Sequence, residues 1–368
     1  MIGFGKRTKR TKIYMSWRIF SALPEGINIG NLRRSIMSIN PLETFTSTGR
    51  KYLHQPQMIE GIRRGIPSPV SLQVSPTNKC QLRCVFCSVD KRDLSLEWEP
   101  EDLKSMILKF RRLGIKTVEF SGGGDPTAYK PLPQIVAYCK IIGLQIGMIT
   151  NGVALDRLPR ETLEAFSWIR ISMVTLDYHE SVKIPQPWPE NTVLGMSYVV
   201  GQINYTGTDR PFSQSDYDGL KKVADYARRY NAKYVRVVPE CLTGSEELMA
   251  KIHEKWRPIV EEIGEPLFFQ THKWQKQAKH CWMDMIKPWA HSDGYIYPCN
   301  SVSLNTEARR DFDPKWRLCH WTQIENYYEG RGSESLPFVK QLCDQCSFTQ
   351  NNQIIADLTE PMVHEDFV

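Results

Sequence analysis

"VSLQVSPTNKCQLRCVFC", residues 70–87, runs from an alternating, β-branched segment directly into three cysteines at positions 80, 84 and 87. Val70 to Ser75 has strand chemistry, and Pro76 and Asn78 end the run. The strand therefore delivers three thiols within eight residues of loop. A structural zinc takes four protein ligands. A cubane 4Fe-4S cluster held by three cysteines instead leaves one iron open for a substrate or cofactor.

Working outward, "PEDLKSMILKFRRLG" (100–114) is predicted as a helix, with Pro100 at its start, Leu103, Ile107, Phe110 and Leu113 on one face, and Gly114 as its stop. Strand and helix patterns then alternate to about residue 240: "KTVEF", "LPQIVAYCKIIG", "LQIGMITNG", "LPRETLEAFSW", "IRISMVTLD", "VLGMSYVVGQIN", "SDYDGLKKVADYARRYN" with Ser215 or Asp216 as cap, and "AKYVRVVPE". Six strands joined by right-handed crossovers predict an α/β fold, a partial (β/α)6 TIM-like barrel with its loops gathered at the strand C-terminal ends. The connection "DYHESVKIPQPWPENT" (177–192) is too rich in proline for a crossover helix, so one wall is shortened there. "SEELMAKIHEKWRPIVEEIG" is the last clear helix.

Four regions are expected. Residues 1–69 form an N-terminal extension with a basic tail, packed on the barrel, and residues 70–270 form the barrel. Residues 271–350 form a small cysteine-rich unit held by something other than an apolar core, and residues 351–368 form an acidic tail. Residues 1–18 hold Lys6, Arg7, Lys9, Arg10, Lys12 and Arg18 and no acid; without these six, the 47 basic residues would equal the 41 acidic ones. The net charge of +6 therefore belongs to the tail, and a nucleic-acid surface on the body is not implied. The hydrophobic fraction of 41% suits a globular chain, and no apolar run nears the roughly 18 residues of a membrane span. The basic start lacks the apolar stretch of a signal peptide. A cytoplasmic protein away from membranes is expected, with its ten cysteines as ligands or redox groups rather than disulfides.

Cys281, Cys299, Cys343 and Cys346 make a second set, closed by the chelating pair in "CDQC", with Cys319 lying between them. Spacing alone admits either zinc or an Fe-S cluster. Cys139, on a helix, and Cys241, after a strand, read as buried thiols.

Cys80, Cys84 and Cys87, with Phe86 before the last thiol, resemble the signature of the radical S-adenosylmethionine (SAM) superfamily. The resemblance covers about residues 70–350. It implies that SAM chelates the open iron of a 4Fe-4S cluster and is cleaved reductively to a 5'-deoxyadenosyl radical, which takes a hydrogen from the substrate. Phe86 would pack near the adenine. "SGGGDPT" resembles the family's Gly-Gly-Glu-Pro motif, with Asp125 in place of Glu, and Gly122, Gly123 and Gly124 would meet the methionine amino group. Thr150, Asn151 and Ser172 stand where the family makes ribose and carboxylate contacts. The second cysteine set, in the pattern C-x12-G-x4-C then CxxC, resembles a SPASM/twitch extension, in its shorter form with one auxiliary 4Fe-4S cluster. Its spacing is nearest in style to that of the aminoglycoside dehydrogenases.

The expected activity is an oxidative modification of a peptide or small molecule, with a reductase, flavodoxin or ferredoxin as electron donor. The alternatives are a radical SAM enzyme acting on nucleic acid and a non-enzymatic zinc or Fe-S protein that binds nucleic acid through the basic tail. Asp177, His179, Arg236 and Glu240 lie near predicted strand ends, and none is singled out as the catalytic base.

Overall fold

The computed structural model describes residues 49–201, 216–242, 246–270, 279–306, 313–337 and 342–360, all of which belong to one compact unit. After α1 (Pro56–Arg63) come β1 (Ser71–Val74), α2 (Pro100–Leu113), β2 (Thr117–Phe120), α3 (Leu132–Ile141), β3 (Gln145–Thr150), α4 (Arg160–Ala165), β4 (Trp168–Ser172), β5 (Val193–Val200), α5 (Asp216–Arg229), β6 (Tyr234–Pro239), α6 (Glu246–Ile263) and β7 (Leu267–Phe269). Four further elements contribute to the C-terminal part: α7 (Met283–Ile286), β8 (Trp289–Ala290), β9 (Tyr295–Tyr297) and β10 (Cys319–His320). Two more helices, α8 (Ile324–Glu329) and α9 (Thr349–Thr359), follow. Local chemistry explains the boundaries. In α2, Pro100 opens the first turn and Glu101 and Asp102 face the positive end of the helix dipole. Leu103, Met106, Ile107 and Phe110 are buried, and Gly114 ends the helix in the left-handed region at φ 112°.

Strands β1 to β7 lie side by side in chain order, every neighbouring pair parallel. Val118 and Phe120 on β2, Ile169 and Ile171 on β4, and Val235 and Val237 on β6 pack into the main core beneath the helices. Glu119 on β2 interacts electrostatically with Arg170 on β4 and Arg236 on β6. In a flat sheet β2 and β6 would stand about 19 Å apart, so the sheet curls and these side chains share its inside. This is the expected partial barrel, with a seventh parallel strand that the three residues after Pro266 are too short to announce.

Three expectations are revised. The predicted strand over 170–177 ends at Ser172, and Met173–Asp177 forms a 3-10 turn because the Thr175 hydroxyl donates to the Asn151 carbonyl at 2.6 Å. The cysteine-rich part has an apolar core of its own, built from Trp282, Met285, Ile286, Trp289, Tyr297 and Trp316. Tyr52, Met58 and Ile62 of the N-terminal extension join that core rather than the barrel's. Residues 351–360 are not a free tail, since Asn351, Asn352, Ile355 and Ala356 of α9 are buried in the same region. The cysteine-rich part is also continuous with the barrel wall: β8 pairs parallel with β1, and β9 and β10 follow antiparallel. The basic residues 1–18, the cap Ser215 and the last eight residues lie outside the described residues.

Candidate functional site

The cysteine loop leaves β1 at its C-terminal end and is fastened on several sides. Thr77 bridges Glu97 on the returning chain, and Arg92 Nε donates to the Asn78 carbonyl at 2.7 Å. The glycine turn after β2 closes over the start of the loop: Ser75 Oγ donates to the Gly122 carbonyl at 2.7 Å, Gly124 N to Thr77 O at 2.8 Å, and Asp125 N to Lys79 O at 2.8 Å. Gly122 and Gly123 have φ of 73° and 67°. A methyl group on Gly123 would lie 2.1 Å from Ser75 Oγ, and one on Gly124 would lie 2.0 Å from Lys79 O. The glycines therefore serve the close approach of turn to loop.

Three of the predicted polar residues, Asp125, Thr150 and Asn151, converge here. The Asp125 carboxylate accepts from Thr127 N (2.9 Å), Thr127 Oγ1 (2.6 Å), Thr150 Oγ1 (2.9 Å) and Asn151 N (2.5 Å). Burial pushes its pKa up, against the pull of these donors. Thr150 Oγ1 in turn accepts from Gly152 N at 3.0 Å. The side chains of Asp125 and Thr150 are thus engaged in hydrogen bonds within the protein. Asn151 is the link to the loop: its Nδ2 reaches Cys80 Sγ at 3.5 Å and Gln81 Oε1 at 3.0 Å. Ser172 ends β4 in register with Ser197 of β5, and Phe86 packs part-buried on the barrel core.

The three thiols are half-buried. Leu82 N points at Cys80 Sγ (3.5 Å), and Arg92 Nη1 at Cys87 Sγ (3.6 Å). Burial raises the pKa of Cys80 and Cys87, with Asp125 adding at Cys80 and Arg92 opposing at both. Among the described residues no three His, Cys, Asp or Glu side chains converge as for a single metal ion. Three thiols on one loop, with N–H donors at two of the sulfurs, fit a cluster edge that must carry negative charge.

Residues missed in the sequence complete the surround. Tyr178 Oη accepts from Val85 N at 3.4 Å, Ser88 and Ser303 share a hydrogen bond at 3.1 Å, and Ser292 Oγ donates to Asn78 Oδ1 at 3.0 Å. Cys241, read as a buried thiol, is half-exposed, and its charge would raise the pKa of Cys87. Nothing in the local pattern distinguishes Arg92 from other surface arginines. Of the proposed bases, Asp177 accepts from Tyr198 Oη (2.8 Å), buried Glu240 accepts from Leu242 N (2.7 Å) and His179 is exposed. Arg236 lies inside β6 rather than at its end.

The second set forms a separate chamber. Cys281, Cys299, Cys343 and Cys346 line one small cavity with Met283, Pro298, Val302 and Trp316. Asn305 clamps the CxxC turn from both sides, donating to Gln345 O and accepting from Gln345 N, each at 2.9 Å. Asn352 of α9 accepts from Trp282 N at 2.9 Å. Burial raises the pKa of all four thiols, and neighbouring thiols raise Cys281, Cys299 and Cys343 further. Four thiolates in an apolar chamber need a compensating cation, as a metal centre supplies. Cys319 does not line the chamber: it sits on β10, and burial pushes its pKa up to about 12. Cys139 is fully buried under the barrel, as expected.

Residues 74–186 match the family model described as the Radical SAM superfamily. The chain carries a radical SAM domain. The cofactors of that domain are a 4Fe-4S cluster and SAM. The chain is 25% identical over 208 residues to the Fe-coproporphyrin III synthase of Methanosarcina barkeri, covering 50% of this chain and 52% of that one. It is 33% identical over 106 residues to the PqqA peptide cyclase of Xanthomonas campestris pv. campestris, covering 27% and 28%. It therefore spans about half of the first relative and just over a quarter of the second. Among solved structures, Streptococcus suis SuiB bound to its precursor peptide SuiA aligns over 86% of this chain and 82% of its own, at 14% identity and a TM-score of 0.48. Among the described residues no helix is long and apolar enough to cross a membrane.

Proposed function

We propose that the protein is a radical SAM enzyme that modifies a peptide or a small molecule, with Cys80, Cys84 and Cys87 holding the SAM-binding cluster. Cys281, Cys299, Cys343 and Cys346 hold an auxiliary 4Fe-4S cluster. The contrast between the two thiol sets carries this reading: one is a loop of three at the barrel mouth, the other a closed chamber of four. When bound, the open cluster and SAM supply a 5'-deoxyadenosyl radical able to take a hydrogen atom from the substrate. The chain's own residues hold the loop in place through Asp125, Thr150 and Asn151, and they direct N–H groups at the sulfurs. A chamber with four protein thiols leaves no vacancy for a substrate, which suits electron transfer during an oxidation. A low-potential reductase, flavodoxin or ferredoxin would supply the first electron. Ten cysteines with no disulfide among the described residues suit a reducing cytoplasm. A peptide substrate is favoured by the local likeness to a peptide cyclase. The nucleic-acid alternatives rest on residues 1–18, outside the described residues.

The test is anaerobic reconstitution, an iron count, and an assay for 5'-deoxyadenosine with a low-potential reductant. About eight iron atoms per chain are expected for two such clusters, together with SAM cleavage that Cys84→Ala abolishes. About four iron atoms with tightly bound zinc would remove the auxiliary cluster. No cleavage by protein with a full iron complement would remove the enzymatic reading.

A further inference from the structure

The inside of the barrel holds more positive charge than the protein itself neutralises. Glu119 on β2, Arg170 on β4 and Arg236 on β6 occupy positions that alternate with the core-facing Val118 and Phe120, Ile169 and Ile171, and Val235 and Val237. The Glu119 carboxylate is engaged by Lys287, whose Nζ lies 3.0 Å away. Arg170 is buried, with 6% of its surface exposed. The Nε atoms of both Arg170 and Arg236 are buried without a hydrogen-bond partner, and among the described residues no carboxylate pairs with either guanidinium. Arg170 lies 5.5 Å from the Trp168 ring and shares the field of Glu119 with Lys287 and Arg236. Burial, and then Arg170, push Arg236 down to about 9, so Arg236 remains cationic at neutral pH.

The surroundings give the pair a floor and a direction. A methyl group on Gly147 would stand 2.3 Å from the Trp168 ring, and one on Gly195 2.2 Å from the Tyr234 ring, so the two glycines let these aromatic rings fill the barrel. Arg170 is in register with Gly195, and Arg236 with Ser197, which pairs with Ser172 at the strand C-terminal ends. The guanidinium groups therefore stand between an aromatic floor and the end of the barrel that carries the cysteine loop.

A buried guanidinium without a hydrogen-bond partner at Nε is costly, and two that repel each other within one barrel more so. The planar fork of arginine matches a carboxylate in geometry and charge. The methionyl carboxylate of SAM is the competing occupant, and the SAM-affinity arm of the test below separates it from a substrate anion. We propose that Arg170 and Arg236 together receive a carboxylate group of the substrate inside the barrel. The substrate is then a carboxylate-bearing molecule, and in the peptide case the group is an acidic side chain or a chain end. This rests on the enzymatic reading above, but its test does not depend on SAM cleavage.

Glutarate serves as the probe, with glutaramide as its neutral counterpart, in anaerobic isothermal titration of the reconstituted full chain. Glutarate is expected to bind and glutaramide not to. Arg170→Gln and Arg236→Gln are each expected to weaken glutarate by about tenfold or more, with iron content and SAM affinity unchanged, and Arg236→Lys to retain part of the binding. Without anion, Arg236→Gln is expected to leave the unfolding temperature unchanged or raise it, because it removes an uncompensated charge. A guanidinium with a purely structural role would lower it. The proposal is overturned if wild-type protein ignores glutarate, if the Gln variants lose SAM affinity while glutarate binding persists, or if none of the three variants folds. Glutarate binding by a protein that fails to cleave SAM would overturn the enzymatic reading alone.

Discussion

Replacing Asp125 should loosen the join between the glycine turn and the end of β3 in two measurable steps. In Asp125→Asn, the retained oxygen can still accept from Thr127 N and Oγ1, but the new amide nitrogen faces the Asn151 N–H that the carboxylate accepts at 2.5 Å. One buried hydrogen bond is lost and one donor is left unmet, a cost of about 2 kcal/mol. In Asp125→Ala, the amides of Thr127 and Asn151 and the hydroxyls of Thr127 and Thr150 all lose their acceptor. Four donors, two of them only part-buried and partly recovered by water in the vacated space, cost about 4 kcal/mol. Native-state hydrogen exchange reads this opening locally, without a two-state assumption for the whole chain. The Asn151 amide should lose protection by about thirtyfold in Asp125→Asn and about a thousandfold in Asp125→Ala. Undiminished protection of Asn151 in both variants would refute the claim that this carboxylate holds the turn to β3. Loss of protection spread evenly over the barrel would refute its local character.

Gly123→Ala should fail to accumulate a complete SAM-binding cluster, because its methyl group would overlap Ser75 Oγ at a residue with φ 67°; iron content after reconstitution checks this. Cys343→Ser should lower iron from about eight to about four atoms per chain while SAM cleavage persists, whereas Cys319→Ser should leave the count unchanged. Glu119 is the carboxylate whose titration bears most directly on stability inside the barrel. Burial raises its pKa, but Lys287, Arg170 and Arg236 together outweigh burial and hold it below the ordinary range. Its contribution is therefore complete above the ordinary glutamate range and is lost as pH falls through the depressed value. Unfolding followed as pH falls through and below the ordinary glutamate range should show a shallower acid loss in Glu119→Gln than in wild type.

The parts of the architecture legible in the sequence were those written in cysteine spacing and in apolar periodicity. β1 to β6 alternate or run apolar for four residues or more, and the three-thiol and four-thiol sets stand out by count alone. β8 and β10 are two residues each, too short to show any period, yet they attach the C-terminal part to the barrel. The buried face of α9 is carried partly by Asn351 and Asn352, which read as surface residues until Tyr52 and Trp282 are found bonded to them. Inside the barrel the difficulty is reversed. Arg170 and Arg236 alternate with apolar neighbours just as solvent-facing residues on a half-buried strand would, so only closure of the sheet reveals that they are enclosed. Asp125 was recognisable as a motif residue, but its four hydrogen bonds depend on where β3 ends, which spacing does not convey.

The pairing of β8 with β1 orders events during synthesis. Ser75, at the root of the cysteine loop, donates its amide to Ala290, and Gln73 donates to Pro288. More than 200 residues must therefore be translated after the first strand before its open edge is covered. Until then β1 is an unpaired edge beside three exposed thiols, a site for mispairing and premature oxidation. A chain stopped at residue 270 would keep that edge permanently. Maturation of the first cysteine site thus waits for the ribosome to finish the region that holds the second.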